Sequence, residues 1–542
     1  MKNKKIVAKI LAGIFTLSIT MPVFANEINT SIGTVSATSD SGRLVHLSSY
    51  VTGLGQGSAE IVAFSSELGF MYVINSDFLT IDIVDINEPT NPTLVNRLDV
   101  AQIGYEQGFS VGDVPSVAVN NIRGIIGIAV QHENHMEGGY IVLATLTGEY
   151  ISHFRTLPQP DNIVFSPNGN YVLTADEGEP ITGIFDEEND PISGITFVRL
   201  EDMYHRSIDF TEFDNRREEL ISNGVILQRN VPVSRDLEPE YIAFDINSTR
   251  AFISLQEANS IATFDLENYG WISIYGLGIV DHNQPGFEID INRNEEIIIQ
   301  NENVFGIRQP DGIAAMTING TTYVLTANEG DAREWGDFLN TFELDYEWAP
   351  NLEVFYNHLL EGVTEDNLYI LGSRSFSIFR AETNGSLTLV FDSGSQFEKL
   401  SAEIFPFFNS NHSGGWLNRI DGRSHRKGSE PESIQVLTHK NRLYAIIGLE
   451  RQGGIFMFDV TNPYETFYVD YINVRDLDEP WNSTTPWISG DLGAEGIAVV
   501  TAENSPIDIP LILVANEISG TVSIFAVTDD VIRDSAYFWS LL

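Results

Sequence analysis

The chain has 542 residues, 43% of them hydrophobic, and sets 30 Lys and Arg against 76 Asp and Glu, a formal charge of −46 at pH 7. A large core is within reach, but nucleic-acid binding needs a basic footprint that this composition lacks, and an anionic membrane surface would repel it. Divalent cations suit it, because hard ions such as calcium are held by carboxylate and amide oxygens; the plainer alternative is that surplus acid keeps the protein soluble.

Residues 1–25 read as a secretory signal peptide. Lys2, Lys4 and Lys5 are followed by a largely apolar run from Ile6 to Met21, and Val23-Phe24-Ala25 offers a cleavage point. With Lys9 also removed, 26 basic residues would face 76 acidic ones. No later stretch is apolar for long enough to span a bilayer, so no transmembrane segment is expected in the mature chain. There is no Cys, so disulfides contribute nothing to stability even though export is expected. Residues 26–41 read as a linker, 42–528 as a single domain and 529–542 as a tail.

Within that domain the stretch from Arg43 to Ser48 precedes seven repeats and is expected to lend a closing strand to the last. Each repeat opens on an acidic or short polar residue before an apolar run and closes on a polar cluster about fifteen residues later. In order, these are Ala59-Glu60-Ile61 with Asn75, Pro115-Ser116-Val117 with His132-Glu133, Pro160-Asp161-Asn162 with Asp176-Glu177, and Pro239-Glu240-Tyr241 with Gln256-Glu257. Pro310-Asp311-Gly312 with Asn328-Glu329, Pro431-Glu432-Ser433 with Glu450-Arg451, and Ala494-Glu495-Gly496 with Asn516-Glu517 complete the set. Repeat four shows the internal order best: 241–244 apolar, 245–249 a turn, 250–255 the return strand, 261–266 a third strand. Short strands at this spacing, without helical periodicity, predict an all-β fold, a seven-bladed β-propeller. Insertions at 201–230 (helical around 213–220), 281–308, 337–366 (partly helical) and 395–429 are expected to gather on one face, the binding face.

In an antiparallel hairpin the start of one strand lies beside the end of the next. Opening and closing acids should therefore be neighbours, gathered by the propeller around one mouth of its channel. The expected metal ligands are Glu60, Asp161, Glu240, Asp311, Glu432 and Glu495 from the openings. Asp176, Glu177, Glu257, Asn328, Glu329, Asp331, Glu450, Asn516 and Glu517 come from the closings, with Asn75 and Glu133 nearby. Close like charges push carboxyl pKa values up or require cations. The ligand types favour Ca2+, with another divalent metal as second choice; pairing with Arg333, Arg374, Arg423, Arg426 and Arg451 is the purely structural alternative. The loops 174–180 and 326–334 are densest in acid, each around a Gly. His132 and His135 have the spacing of a weak transition-metal pair. His425-Arg426-Lys427 forms a basic knot that can receive a phosphate or carboxylate, or pair within the chain. No nucleophile elbow, phosphate-binding glycine loop or zinc-protease motif is present.

These motifs resemble the choice-of-anchor I family, which includes bacterial surface propellers and the mesenchyme-specific cell surface glycoproteins of biomineralising animals. The resemblance runs from Leu44 to Val527 through Asp176-Glu177-Gly178-Glu179-Pro180, Asn328-Glu329-Gly330-Asp331-Ala332-Arg333-Glu334, Ser373-Arg374-Ser375-Phe376 and Asn516-Glu517-Ile518-Ser519-Gly520. It implies a secreted or surface propeller. Some relatives carry an alkaline-phosphatase label, which implies metal-dependent phosphoester hydrolysis. Ser429, Ser433 and Asp176 depart from the family pattern, and 529–542 carries neither a sorting motif nor a membrane span. The expected function is a secreted or cell-surface, calcium-binding scaffold module, with a surface or matrix component as partner. The alternative is a metal-dependent phosphatase or phosphodiesterase in which Arg333, Arg374, Arg451, His425 or Arg426 holds phosphate oxygens of a phosphoester substrate.

Overall fold

A computed structural model describes residues 42–181, 188–404, 408–413, 420–476, 479 and 481–529; the expected signal peptide, the linker and all but the first residue of the tail lie outside them. Runs rich in Val, Ile, Phe and Tyr, punctuated by Gly, Asn and Asp turns, form seven four-stranded antiparallel sheets. Their first strands are Val62–Ser65, Asp113–Asn120, Pro160–Phe165, Pro239–Phe244, Ile313–Ile318, Pro431–His439 and Ala494–Val500. Each of these packs against the next in cyclic order, and the seventh packs against the first. The architecture is a β-propeller. Its apolar core is divided among the interfaces between sheets: Leu173, Ile195 and Phe197 of the third meet Ile242, Ala251 and Phe264 of the fourth, and Met71 and Val73 of the first meet Leu511 and Leu513 of the seventh.

The expected closing strand is present. Arg43–Val51 pairs antiparallel with Thr521–Thr528, Arg43 opposite Thr528 and Val51 opposite Thr521, so the first segment of the domain completes the last sheet. This strand is also tied to the first sheet. The Tyr50 hydroxyl donates to Asp82 at 2.7 Å, and Arg97 donates to both oxygens of Asp82 and to the Thr52 carbonyl.

Two insertions show how the sequence expectations fare. Thr211–Arg216 and Arg217–Ser222 are helical, as expected around 213–220. Residues 337–366 differ from expectation. Instead of helix they form a hairpin, Thr341–Tyr346 with Ala349–Phe355, with one short 3-10 turn at Asn357–Leu359. Leu344, Ala349, Leu352 and Val354 of the hairpin are buried in one apolar cluster with Ile289, Ile291 and Val304.

Candidate functional site

In five of the seven sheets the start of the first strand carries an irregularity that strand pairing makes visible. In the third sheet Pro160 faces Asp176 but Ile163 faces Thr174, so Asp161-Asn162 carries one residue more than its partner strand. The same β-bulge occurs at Glu240-Tyr241, Glu432-Ser433 and Glu495-Gly496, and in the second sheet between Asp113 and Ser116. A bulge re-aims the side chain it carries. Two residues before the acid the backbone is left-handed, at Gln159 (φ 53°), Glu238 (φ 35°), Gln309 (φ 45°) and Glu430 (φ 57°). Each such non-glycine residue costs on the order of 1–3 kcal/mol. Repetition of this costly bend at the same place marks the strand starts as fixed in geometry.

The consequence is a central cavity of about 840 Å3 to which every sheet gives its opening residue: Glu60, Ser116, Asp161, Glu240, Asp311, Glu432 and Glu495. Glu177, Glu257, Glu329, Glu450 and Glu517 from the closings line it as well, with Glu179, Asp331, Glu334 and Glu353. Against these acids stand Arg423, Arg426, Lys427 and Arg451, all from residues 423–451, so the cations lie to one side in sequence and in space.

Burial and mutual repulsion hold the carboxyls protonated more firmly than in water. Burial first, then Glu517, Asp113 and Asp161, push Glu60 up to about 8 despite a hydrogen bond from Ser76. Glu329 is pushed to about 8 by burial against the opposing pull of Lys427, and Glu257 to about 8 by burial and Asp331. Asp161 reaches about 7 through burial, Asp311 and Asp113, and Asp311 about 6 through burial. Glu240 is raised well above its ordinary value by burial, then by Glu177, Glu257, Asp161 and Asp311; Glu432 by burial, then Glu329, Asp311 and Glu495. Acids from different sheets thus feel one another across the cavity.

Two tight groups stand out. One oxygen each from Asp311, Glu329 and Glu432 lies within 4.8 Å of the other two, and the same holds for Glu329, Glu430 and Glu450. Oxygens sharing a calcium shell, each 2.3–2.6 Å from the ion, are separated by at most about 5 Å. The cations of the chain gather on the second group and on the Glu329 that both groups share. Lys427 contacts Glu329 and lies 3.4 Å from Glu430, Arg423 is 2.6 Å from Glu430, and Arg451 is 3.2 Å from Glu430 and 3.0 Å from Glu450. Burial would raise the Glu430 carboxyl, but Arg423, Lys427 and Arg451 outweigh it and hold it well below the usual range. In the first group Glu432 is 7% exposed, and its Oε2 is buried without a hydrogen-bond partner.

Not every expected ligand reaches the cavity. Asp176 accepts hydrogen bonds from Thr174, Thr196 and the Leu157 backbone, and Asn328 bonds to Thr326, Ser375 and Ser377. Asn516 donates to the Val514 and Thr521 carbonyls and to Ser523. All three side chains are taken up by hydrogen bonds within the sheets, Asp176 also reaching Leu157 on the last strand of the second sheet. Successive strand residues point to opposite faces, and in these three pairs it is the following Glu, Glu177, Glu329 or Glu517, that enters the cavity. Asn75, likewise buried, bonds to Thr80 and the Ala59 backbone, and Glu133 is exposed.

The arginines divide too. Arg333, 1% exposed, pairs with buried Asp236 at 2.6 Å and donates to the Glu257 carbonyl. Arg374, also 1% exposed, pairs with Glu398 at 2.7 Å and holds the carbonyls of Asp290, Ser424 and Arg426. Neither lines the cavity; Arg374 instead fixes the loop that carries Arg426 and Lys427. Arg426 and Arg451 do line it, whereas His425 lies in an adjoining recess of about 310 Å3 with Arg293, Arg423 and Arg426. Burial, then the surrounding guanidinium groups, lower the His425 ring to about 4. At the His132/His135 pair, His132 Nδ1 accepts from the Asn134 backbone within its own turn. Glu353, on the unforeseen hairpin, had no sequence signal. Of the two readings of the basic knot, Lys427 follows pairing within the chain, as a countercharge among carboxylates.

The choice-of-anchor I domain model matches residues 60–353 and 351–463. Gigasin-3a of Magallana gigas is 31% identical over 170 residues, which are 30% of this chain and 59% of that protein. Among solved structures, hydrazine synthase of Kuenenia stuttgartiensis aligns at a TM-score of 0.46 with 11% identity, covering 89% of this chain and all of the other. The Cps50 (Swd1) β-propeller domain of Myceliophteria thermophila aligns at 0.43 with 9% identity and the same coverage. No helix among the described residues is long and apolar enough to cross a membrane. The family match takes in six of the seven opening residues of the cavity, Glu60 to Glu432, and with it the chain belongs to the choice-of-anchor I domain family.

Proposed function

We propose that this propeller is a secreted or cell-surface binding module that takes up a divalent cation, calcium first by ligand type, in its central cavity. The observation that carries the reading is the group Asp311, Glu329 and Glu432, three carboxylates from two neighbouring sheets with one buried oxygen lacking a partner. A cation there would relieve the repulsion among Glu329, Asp311, Glu432 and Glu495 and would supply the missing partner. The first test is calorimetric titration of EDTA-stripped protein with Ca2+. The wild type should bind it, and D311N/E432Q should lose the heat of binding while keeping its fold.

A second reading, metal-dependent phosphoester hydrolysis, is favoured by Arg426 and Arg451, which face the same cavity and can hold phosphate oxygens. In that case a bound cation would supply an activated water, and the chain's role would be to orient the ester through those two guanidinium groups. Release of p-nitrophenol from p-nitrophenyl phosphate, abolished by EDTA and by D311N/E432Q, would favour hydrolysis over a purely binding role. Absence of turnover in a calcium-loaded sample removes this second reading.

A further inference from the structure

The two carboxylate groups share Glu329 and differ in their cations: Arg423, Arg451 and Lys427 pair with Glu430 or Glu450 of the second, and Lys427 also pairs with the shared Glu329. Lys427 contacts Glu329, lies 3.4 Å from Glu430 and 3.8 Å from Asp331, and its side chain is 12% exposed. Glu430 itself is fully buried. The oxygens of Glu329, Glu430 and Glu450 are spaced as those of Asp311, Glu329 and Glu432 are, yet the ion pairs of the ammonium fall on Glu329, Glu430 and Asp331. A lysine is a compact point charge on a flexible stem, and here it stands where an ion would.

We propose that Lys427 is a built-in counter-ion: it occupies a second cation position beside Glu329 and Glu430, in the group that Glu450 completes, and so sets the number of divalent ions the cavity holds. This rests on the cation-binding reading above. The protein exchanges an ion for a covalent charge at one position and leaves Asp311, Glu329 and Glu432 as the position open to calcium. Because Glu329 serves both, Lys427 also weakens that open position by repulsion, and neutralising it should tighten calcium there as well as add an ion.

The test counts calcium per chain, by elemental analysis after equilibrium dialysis at millimolar Ca2+, in the wild type, K427M and K427Q; the glutamine retains a hydrogen-bond donor for Glu329 and is the milder change. One additional ion in either variant, with folding in EDTA impaired and restored by calcium, is the expected result. A variant that folds and binds the same number as the wild type overturns the proposal. So does a variant that folds in neither condition, since an ion should be able to replace the ammonium. If the wild type binds no calcium but K427M binds one, the built-in counter-ion stands while the cation-binding reading of the natural protein fails; if both bind none, both fail.

Discussion

Glu432 brings together the features that define the cavity: it rides on a bulge, is 7% exposed, has an oxygen without a partner, and faces carboxylates from two other sheets. Its neighbours impose a pH dependence whose sign is fixed. Glu60, Glu257 and Glu329 titrate at about 8 when folded against an ordinary 4.5. Between those values the folded state binds more protons than the unfolded state, so metal-free stability falls as pH rises through that window. The melting temperature of EDTA-treated protein should be lower at pH 8 than at pH 5.5, and saturating calcium should narrow the difference; calorimetric scans at the two pH values check this. Arg333 behaves differently, being a scaffold residue. R333A leaves Asp236 buried and unpaired, so it should cost about 3–5 kcal/mol in urea unfolding without changing the amount of calcium bound.

The repeats were legible because each combines a Pro or Ala, an acid (Ser116 in the second) and an apolar run, followed by a return strand. That pattern was enough to anticipate the sheets and the convergence of Glu60, Asp161, Glu240, Asp311, Glu432 and Glu495 on one cavity. The one-residue bulges were not legible, because a register offset exists only once two strands are paired. Nor was the split within closing pairs, where Asp176 turns into its sheet and Glu177 into the cavity. Remote partners such as Asp236 for Arg333 and Glu398 for Arg374, 97 and 24 residues away, also leave no local signal. At 337–366 a mixed polar composition concealed the hairpin, whose apolar face packs on residues 289–304, far off in sequence. The closing strand is testable at its anchor: R97A strips buried Asp82 of its guanidinium partner and should destabilise by about 3–5 kcal/mol, read as a lowered urea midpoint. A comparable loss for Y50F would be excessive, since one hydrogen bond is worth about 1–3 kcal/mol when its buried partner is left behind.

At the scale of the molecule, ring order does what no single repeat can. Asp311 and Glu432 are 121 positions apart in sequence, and cyclic packing of the first strands brings them together in one triad with Glu329. The insertions contribute to the same mouth from outside the repeats, Glu353 from the hairpin and Arg423, Arg426 and Lys427 from the segment held by Arg374. The result is a cavity with excess acid on most of its circumference and a cluster of cations on one side. A native-state ligand stabilises by mass action, by about 2.7 kcal/mol when its concentration is a hundredfold above its dissociation constant. The most direct measurement is therefore the melting temperature of EDTA-stripped protein with and without millimolar Ca2+, beside D311N/E432Q. A rise of several degrees in the wild type and none in the double variant is the predicted result. An unchanged wild-type melting temperature, or an equal rise in both proteins, would contradict cation binding at the propeller mouth.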